Sequence, residues 1–327
     1  MPCEGEGEPD GEFPSWSERW LHQLVNRARC DPQVDLADCT VCADKDCYTP
    51  IAPLPWSSAL NRAARFHSAQ MDIIGFMSHT SFCTVVSNIA SIYPEPCDGS
   101  ASCACVGGIA ACSPICTSAQ TRVGLFGESY RGEIIAPFSD PTVSFYLWLH
   151  EPTSNPACQF TMYNGHRWLI LRSEGAVGLG VEGDYATGDF AVGSVPSVIP
   201  SGSHYPRQAA AVEMWANWYD TNGPTAASVN VAGTCYDMTL GRGSATNGSW
   251  MASVSGRETG CHRYYFEFED SQGATVTYPT TGSLAIGSGP GCPDWHDSRP
   301  PPCGIDHVFS DGFETGTTSN WSTVVPS

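Results

Sequence analysis

Sixteen cysteines in 327 residues constrain this chain more than any other feature. They are even in number and dispersed, the pattern of disulfides formed in an oxidising compartment. The tightest groups are Cys39/Cys42/Cys47 and Cys97/Cys103/Cys105/Cys112/Cys116. Neither gives the paired Cys-x-x-Cys frame of a structural zinc site, so disulfides are favoured over zinc there. Cys235 and Cys261 are expected to bridge the C-terminal region.

A chain of this length makes about two domains, each with room for a real core. Hydrophobic residues at 41% and ten tryptophans argue for globular folding. The formal charge is −19, and Lys45 is the one lysine. That balance argues against nucleic acid or an anionic membrane as partner. No run of 18 apolar residues is present, so no transmembrane segment is expected.

The opening "MPCEGEGEPDGEF" lacks the basic and apolar regions of a signal peptide. The expectation is a secreted, extracellular protein whose export signal has been removed or whose start is incomplete. Residues 1–12 read as an acidic tether, and Cys3 resembles the first residues of a mature bacterial lipoprotein.

"SWSERWLHQLVNRARCDP" begins with Ser15-x-x-Glu18, a capping box, and Asp31-Pro32 stops the run. A second helix is expected over 57–74, capped by Ser57 or Ser58 and ended by Gly75. Residues 82–127 are small, Cys-rich and aperiodic, an insertion with its own bridges. Asp140-Pro141 starts a third helix running to about Glu151. "RWLIL" (167–171), "AVGLGVEG" (176–183) and "DFAVGSV" (189–195) read as strands. Gly178-Leu-Gly180-Val-Glu-Gly183 matches G-x-G-x-x-G formally but lies inside a hairpin, not between strand and helix.

The Pro/Ser/Gly stretch over 196–206 reads as a boundary, with the linker proper at 197–204. Short strands over 205–290 then suggest a β-sandwich. A Pro/Gly linker and tail occupy 291–327. The halves on either side of the boundary are expected to fold separately.

The motifs of most catalytic and phosphate-binding sites are missing: there is no G-x-S-x-G, H-E-x-x-H or Gly-Lys pair. What remains is dispersed: "GFMSHTS" with His79, "GEIIA" with Glu133, "WLHE" with Glu151 and "NGHRWLIL" with His166. Together with "LVNRARCDP", "PLPWSSALNRAARFHSAQM" and "AVGLGV", these segments stand in the order found in CAP domains. The region over 13–196 resembles that superfamily: the cysteine-rich secretory, antigen 5 and pathogenesis-related 1, or SCP-like, proteins, in a bacterial version.

The resemblance implies an α+β architecture, an α-β-α sandwich, here followed by an Ig-like or fibronectin-like sandwich. It implies a cleft holding His79, His166, Glu133 and Glu151. Ile134 stands where the family's Gly-Glu-Asn-Ile-Ala motif has asparagine. Gly127-Glu128 offers a rival acid, without the following apolar-apolar-alanine.

Two imidazoles with carboxylates suit a divalent cation, Zn²⁺ first. A small lipid, sterol or peptide is the further ligand class implied. The reading leans to binding rather than catalysis. The alternatives are a metal-assisted peptidase, with Glu133 and Glu151 as its catalytic acids, and a disulfide-stapled interaction scaffold. A structural hydrogen-bonded network is the bland reading of the same four residues. His67, on the apolar face of the second helix, reads as a core histidine. His150 should point away from Glu151, since helical neighbours differ by about 100°. The aromatics of 215–219 read as a sandwich face.

Overall fold

The computed structural model describes residues 13–82, 84–93, 116–193 and 196–302, and the backbone of 105–106. The tether with Cys3, most of the Cys-rich insertion and the tail from 303 onward lie outside the described residues.

The first helix, α1 (Trp16–Cys30), begins at the expected capping box: Glu18 N–H donates to Ser15 Oγ and Ser15 N–H to the Glu18 carboxylate. Past the short Pro32–Leu36 helix, the long helix α2 (Ser58–Ile74) is capped by Ser57 and ends at Gly75, whose φ of +68° is left-handed. A short helix follows, α3 (Ala119–Leu125), then α4 (Pro141–Leu149), capped by Asp140.

The next element differs from expectation. "RWLIL" is not a strand but part of α5 (Gly165–Arg172). Its buried residues Arg167, Ile170 and Leu171 fall at helical spacing. A short apolar run cannot be assigned by hydrophobicity alone, and here the burial of one face decides.

Strands β1 (Tyr130–Ala136), β2 (Ala176–Glu182) and β3 (Tyr185–Ala191) form an antiparallel sheet in the order β1-β3-β2. Alternation gives it two faces. Ile134, Val177, Leu179 and Phe190 join one core with Leu21, Leu24 and Val25 of α1, Trp148 of α4 and Ile170 of α5. Ala176 and Ala191 join a second with Leu60, Phe66, Val123 and Phe126 of α2 and α3. Gly178 and Gly180 are needed on this second face, where a Cβ would run into the α2 backbone at Leu60–Asn61 and Ala64–Arg65. The G-x-G-x-x-G match is therefore a strand surface made for a helix.

Beyond residue 200 two antiparallel sheets enclose a core of their own. Strands β4 (Gly202–Tyr205), β5 (Ala211–Tyr219), β6 (Ala226–Val231), β7 (Thr234–Asp237), β8 (Thr239–Gly243), β9 (Asn247–Ser255), β10 (His262–Glu269), β11 (Thr275–Tyr278), β12 (Ser283–Ile286) and β13 (Trp295–His296) follow one another. One sheet has the order β8-β9-β5-β4; the other runs β13-β12-β10-β6-β7, with β11 also on β10. Met214, Ala216 and Trp218 face Val229, Tyr264, Phe266 and Phe268 across the middle, and Trp218 stacks on Phe268 at 5.5 Å. The 215–219 aromatics therefore split, with Trp218 inside this core and Trp215 in the core shared with α1.

Two expected boundaries move. Residues 202–205, read as linker, are a strand paired to β5. Gly202 is there because a Cβ would sit 2.8 Å from the Phe266 and Tyr278 rings, so close packing, not flexibility, selects the glycine. The C-terminal part extends past 290 through Asp294 and β13.

The two parts also share a buried polar seam along α1. Gln23 Nε2 donates to Asn217 Oδ1 at 2.7 Å and Ser249 Oγ at 2.9 Å, Trp16 Nε1 donates to the His204 carbonyl, and Arg19 pairs with Asp294 at 3.1 Å.

Disulfides join Cys39–Cys42, Cys47–Cys158 and Cys261–Cys292. The expected Cys235–Cys261 bridge is not formed, since Cys261 takes Cys292 and Cys235 is bonded elsewhere. Cys30 is free and buried. By chain entropy the 111-residue separation of Cys47–Cys158 is worth about 5 kcal/mol, against about 2 kcal/mol for Cys39–Cys42 at a separation of 3. No helix among the described residues is long and apolar enough to cross a membrane.

Candidate functional site

His79 stands in the loop that leaves α2 after the left-handed turn at Gly75. Two bonds from His67 fix that loop: its Nε2 lies 2.6 Å from the Ser78 carbonyl and its Nδ1 3.2 Å from Ser81 Oγ. The carbonyl requires Nε2 to carry the proton, so Nδ1 accepts from the hydroxyl. Burial, and then the Arg122 charge, lower His67 to about 3, so it is neutral. It is the satisfied core histidine expected, and it also holds the residue preceding His79.

Glu133, on β1, faces the same layer. Its Oε1 lies 2.8 Å from His79 Nδ1 and 4.0 Å from His67 Nε2, while Oε2 accepts from Arg122 of α3. Arg122 also donates to Ser81 Oγ at 2.6 Å. Burial alone would raise the Glu133 carboxyl, but the Arg122 guanidinium and the His79 bond hold it below its ordinary value. An ionised Glu133 accepts the proton of His79 Nδ1, which leaves the Nε2 lone pair facing outward. The His79 side chain is 55% exposed and that of Glu133 is wholly buried.

Glu128, the rival acid, instead accepts from Ser57 Oγ at 2.6 Å. Asp189 pairs with Glu133 across the β1–β3 register and is fully buried. Burial, and then the neighbouring Glu133 charge, raise it well above the carboxylate range.

His166 lies in the first turn of α5. Asn164 gives that helix no side-chain cap, and Glu151 supplies one from afar, its Oε2 accepting His166 N–H at 2.9 Å. Glu151 Oε1 is 3.5 Å from His166 Nδ1. Burial, then the charge of His79, lower His166 to about 4. Burial raises the Glu151 carboxyl, against the His166 and Arg167 N–H groups that lower it. His150 bonds the Asp35 carbonyl at 2.8 Å, away from Glu151 as expected.

The four expected residues thus form two His–Glu pairs, close enough for the imidazoles to repel when charged. Among the described residues no group of three or more His, Cys, Asp or Glu stands together as a metal cage. The carboxylates are engaged with their own histidines and with arginine or backbone N–H groups.

Sequence reasoning missed Arg122 and Asp189. Asp189 is a charged residue in the strand Tyr185–Ala191, whose other residues are uncharged, a visible anomaly; Arg122 sat in a segment read as aperiodic. No protein-family model matches the chain, and no curated protein matches it either.

Proposed function

We propose that the chain is a secreted CAP-type protein whose cleft binds a divalent cation, Zn²⁺ first, through the imidazoles of His79 and His166. The His79–Glu133 bond carries this reading. A carboxylate that accepts from one ring nitrogen fixes the tautomer and makes the other nitrogen a better donor to metal. His166, neutral down to about pH 4, keeps its lone pair where an ordinary histidine has lost it. Bound there, the ion would supply a Lewis acid. The residues' own part is to hold and orient: Glu133 fixes His79, Arg122 keeps Glu133 ionised, and Glu151 fixes the start of α5. An apolar lipid, sterol or peptide remains the organic ligand class that the CAP resemblance implies.

Titration calorimetry with zinc chloride tests this. His79→Ala and His166→Ala should each remove at least about tenfold in affinity, and Glu133→Gln should weaken binding by a smaller factor. His67→Ala is not a neutral control, because His67 bonds Ser78 and Ser81. His150→Ala is the control and should leave affinity intact. Unchanged affinity in both cleft-histidine variants would return the histidines to a structural role and favour the scaffold reading.

The raised carboxyl of Glu151 beside His166 is the observation that supports the second reading, a metal-assisted peptidase. Turnover of a peptide library, abolished by a chelator and by Glu151→Gln, would select it.

A further inference from the structure

The Cys39-Thr-Val-Cys42 disulfide adjoins the His150 and Glu151 carbonyls, and it differs from the other two bridges that join described residues. Of these three it closes the smallest loop and so stabilises the fold least. The chain around it is held without it: Cys39 N–H donates to the Leu36 carbonyl, Ala43 N–H to Thr153, and Thr153 N–H to Val41. Opening the bond leaves these backbone bonds in place.

The surroundings are already arranged for the reduced form. Cys42 Sγ lies 3.0 Å from Nη1 of Arg167, a side chain with no exposure. Nη1 also donates to the Leu149 and Glu151 carbonyls and Nη2 pairs with Asp44 at 2.7 Å, so the cation is fixed beside the sulfur. Cys39 Sγ sits 4.0 Å from the His150 carbonyl and Cys42 Sγ 3.9 Å from that of Glu151. A disulfide has no proton to give those oxygens, whereas thiols do. Groups that stabilise the dithiol make a disulfide a stronger oxidant. Both cysteines are buried at 3% exposure, joined by the exposed Thr40–Val41 turn, which has to shift to admit a thiolate.

We infer that Cys39–Cys42 is a redox-active disulfide that exchanges with a dithiol partner, with Arg167 stabilising Cys42 as the leaving thiolate. The partner's thiolate attacks Cys39 Sγ, the S–S bond breaks, and its electron pair goes to Cys42 beside Arg167. The partner's second thiolate then attacks its own sulfur in the mixed disulfide and releases Cys39. This chain gains two electrons and two protons, and the partner becomes a disulfide. The assignment is independent of the cation reading.

The full-length oxidised protein is equilibrated with graded ratios of reduced to oxidised dithiothreitol. Free thiols are trapped with iodoacetamide after denaturation and mapped by peptide mass spectrometry, with Cys30, a free thiol of the oxidised protein, as the internal reference. Cys39 and Cys42 should become labelled at the mildest reducing ratio, before Cys47/Cys158 and Cys261/Cys292, while circular dichroism stays native. Labelling in step with Cys47/Cys158, or only with loss of the native spectrum, would overturn the inference and make the bridge a structural staple. Two single variants test the direction of attack. Cys42, left free in Cys39→Ser, should be alkylated by iodoacetamide down to a lower pH than Cys39, left free in Cys42→Ser, because Arg167 favours its thiolate. Identical pH profiles would remove Cys42 as the leaving thiolate.

Discussion

The two halves of the candidate site share one layout and differ in the sense of their acids. In both the imidazole is the more exposed partner, 55% against 0% for His79–Glu133 and 28% against 19% for His166–Glu151, yet one carboxyl is lowered and the other raised. Each carboxylate follows its surroundings. Glu133 accepts a hydrogen bond from a buried arginine and is held low, while Glu151 is raised by burial that the His166 N–H, the Arg167 charge and the Arg167 N–H do not overcome. Burial acts on both acids in the same direction, and an arginine charge opposes it in both; the sign follows from whether the guanidinium bonds the carboxylate itself, as Arg122 does, or only the backbone carbonyl, as Arg167 does. The first half is built on charge compensation and the second on a helix terminus.

The largest way to break this comparison is to remove the compensating charge. Arg122→Met leaves the buried Glu133, beside the buried Asp189, with only the His79 N–H to compensate its charge. Truncating one member of a buried ion pair costs about 3–5 kcal/mol. Urea unfolding at neutral pH should show a loss of that size. A loss under about 1 kcal/mol would mean that water reaches the pair.

A medium-sized effect separates the halves by pH. The folded value of His166, about 4, lies below the unfolded value of about 6.5. The unfolded chain therefore binds the extra proton first as pH falls. The neutral imidazole's contribution is fully present above the unfolded value and is lost on descending from about 6.5 towards 4. The slope approaches about 1.4 kcal/mol per pH unit in that window. His166→Gln, which cannot charge, should lack this part of the acid destabilisation. Identical pH slopes in parent and variant would place His166 in solvent rather than under its neighbours.

Local stop and start signals were the most legible part of the fold. Ser15-x-x-Glu18, Asp140-Pro141 and Gly75 are caps in the structure because capping depends on neighbours within one turn. Glu133 beside His79 was legible through motif order, and the structure separates it from Glu128. The helix at 165–172 was not legible, since "RWLIL" carries an apolar run whose face is chosen by distant partners. Gly202 misled for a related reason: a glycine that leaves room for Phe266 and Tyr278 looks the same in sequence as one in a linker. Arg122 and Asp189 act through contacts across 11 and 56 positions respectively with Glu133 (133−122 and 189−133), beyond any local pattern. The polar seam of Gln23, Asn217 and Ser249 was likewise invisible, because each residue alone reads as a surface side chain.

The smallest expected effect sharpens the comparison most, because the two acids should respond with opposite signs. Glutamine keeps the size and one acceptor oxygen of each glutamate but removes its charge. At position 151 the folded carboxyl lies above its unfolded value, so the folded state binds the proton more tightly. That advantage is present at low pH and is lost as pH rises through the raised folded value. Glu151→Gln retains an acceptor for the His166 N–H, so at neutral pH it should change stability by about 1 kcal/mol or less and be neutral to stabilising. At position 133 the folded value is lowered, so the carboxylate's contribution is present above the unfolded value and disappears as pH falls through the folded one. Glu133→Gln should therefore destabilise at neutral pH, with the deficit shrinking in acid. Unfolding free energies of parent and both variants at pH 7, 5 and 4 give two difference curves. Curves of the same sign would mean that both acids sense one shared field, and the division of the site into a charge-locked half and a helix-capping half would fail.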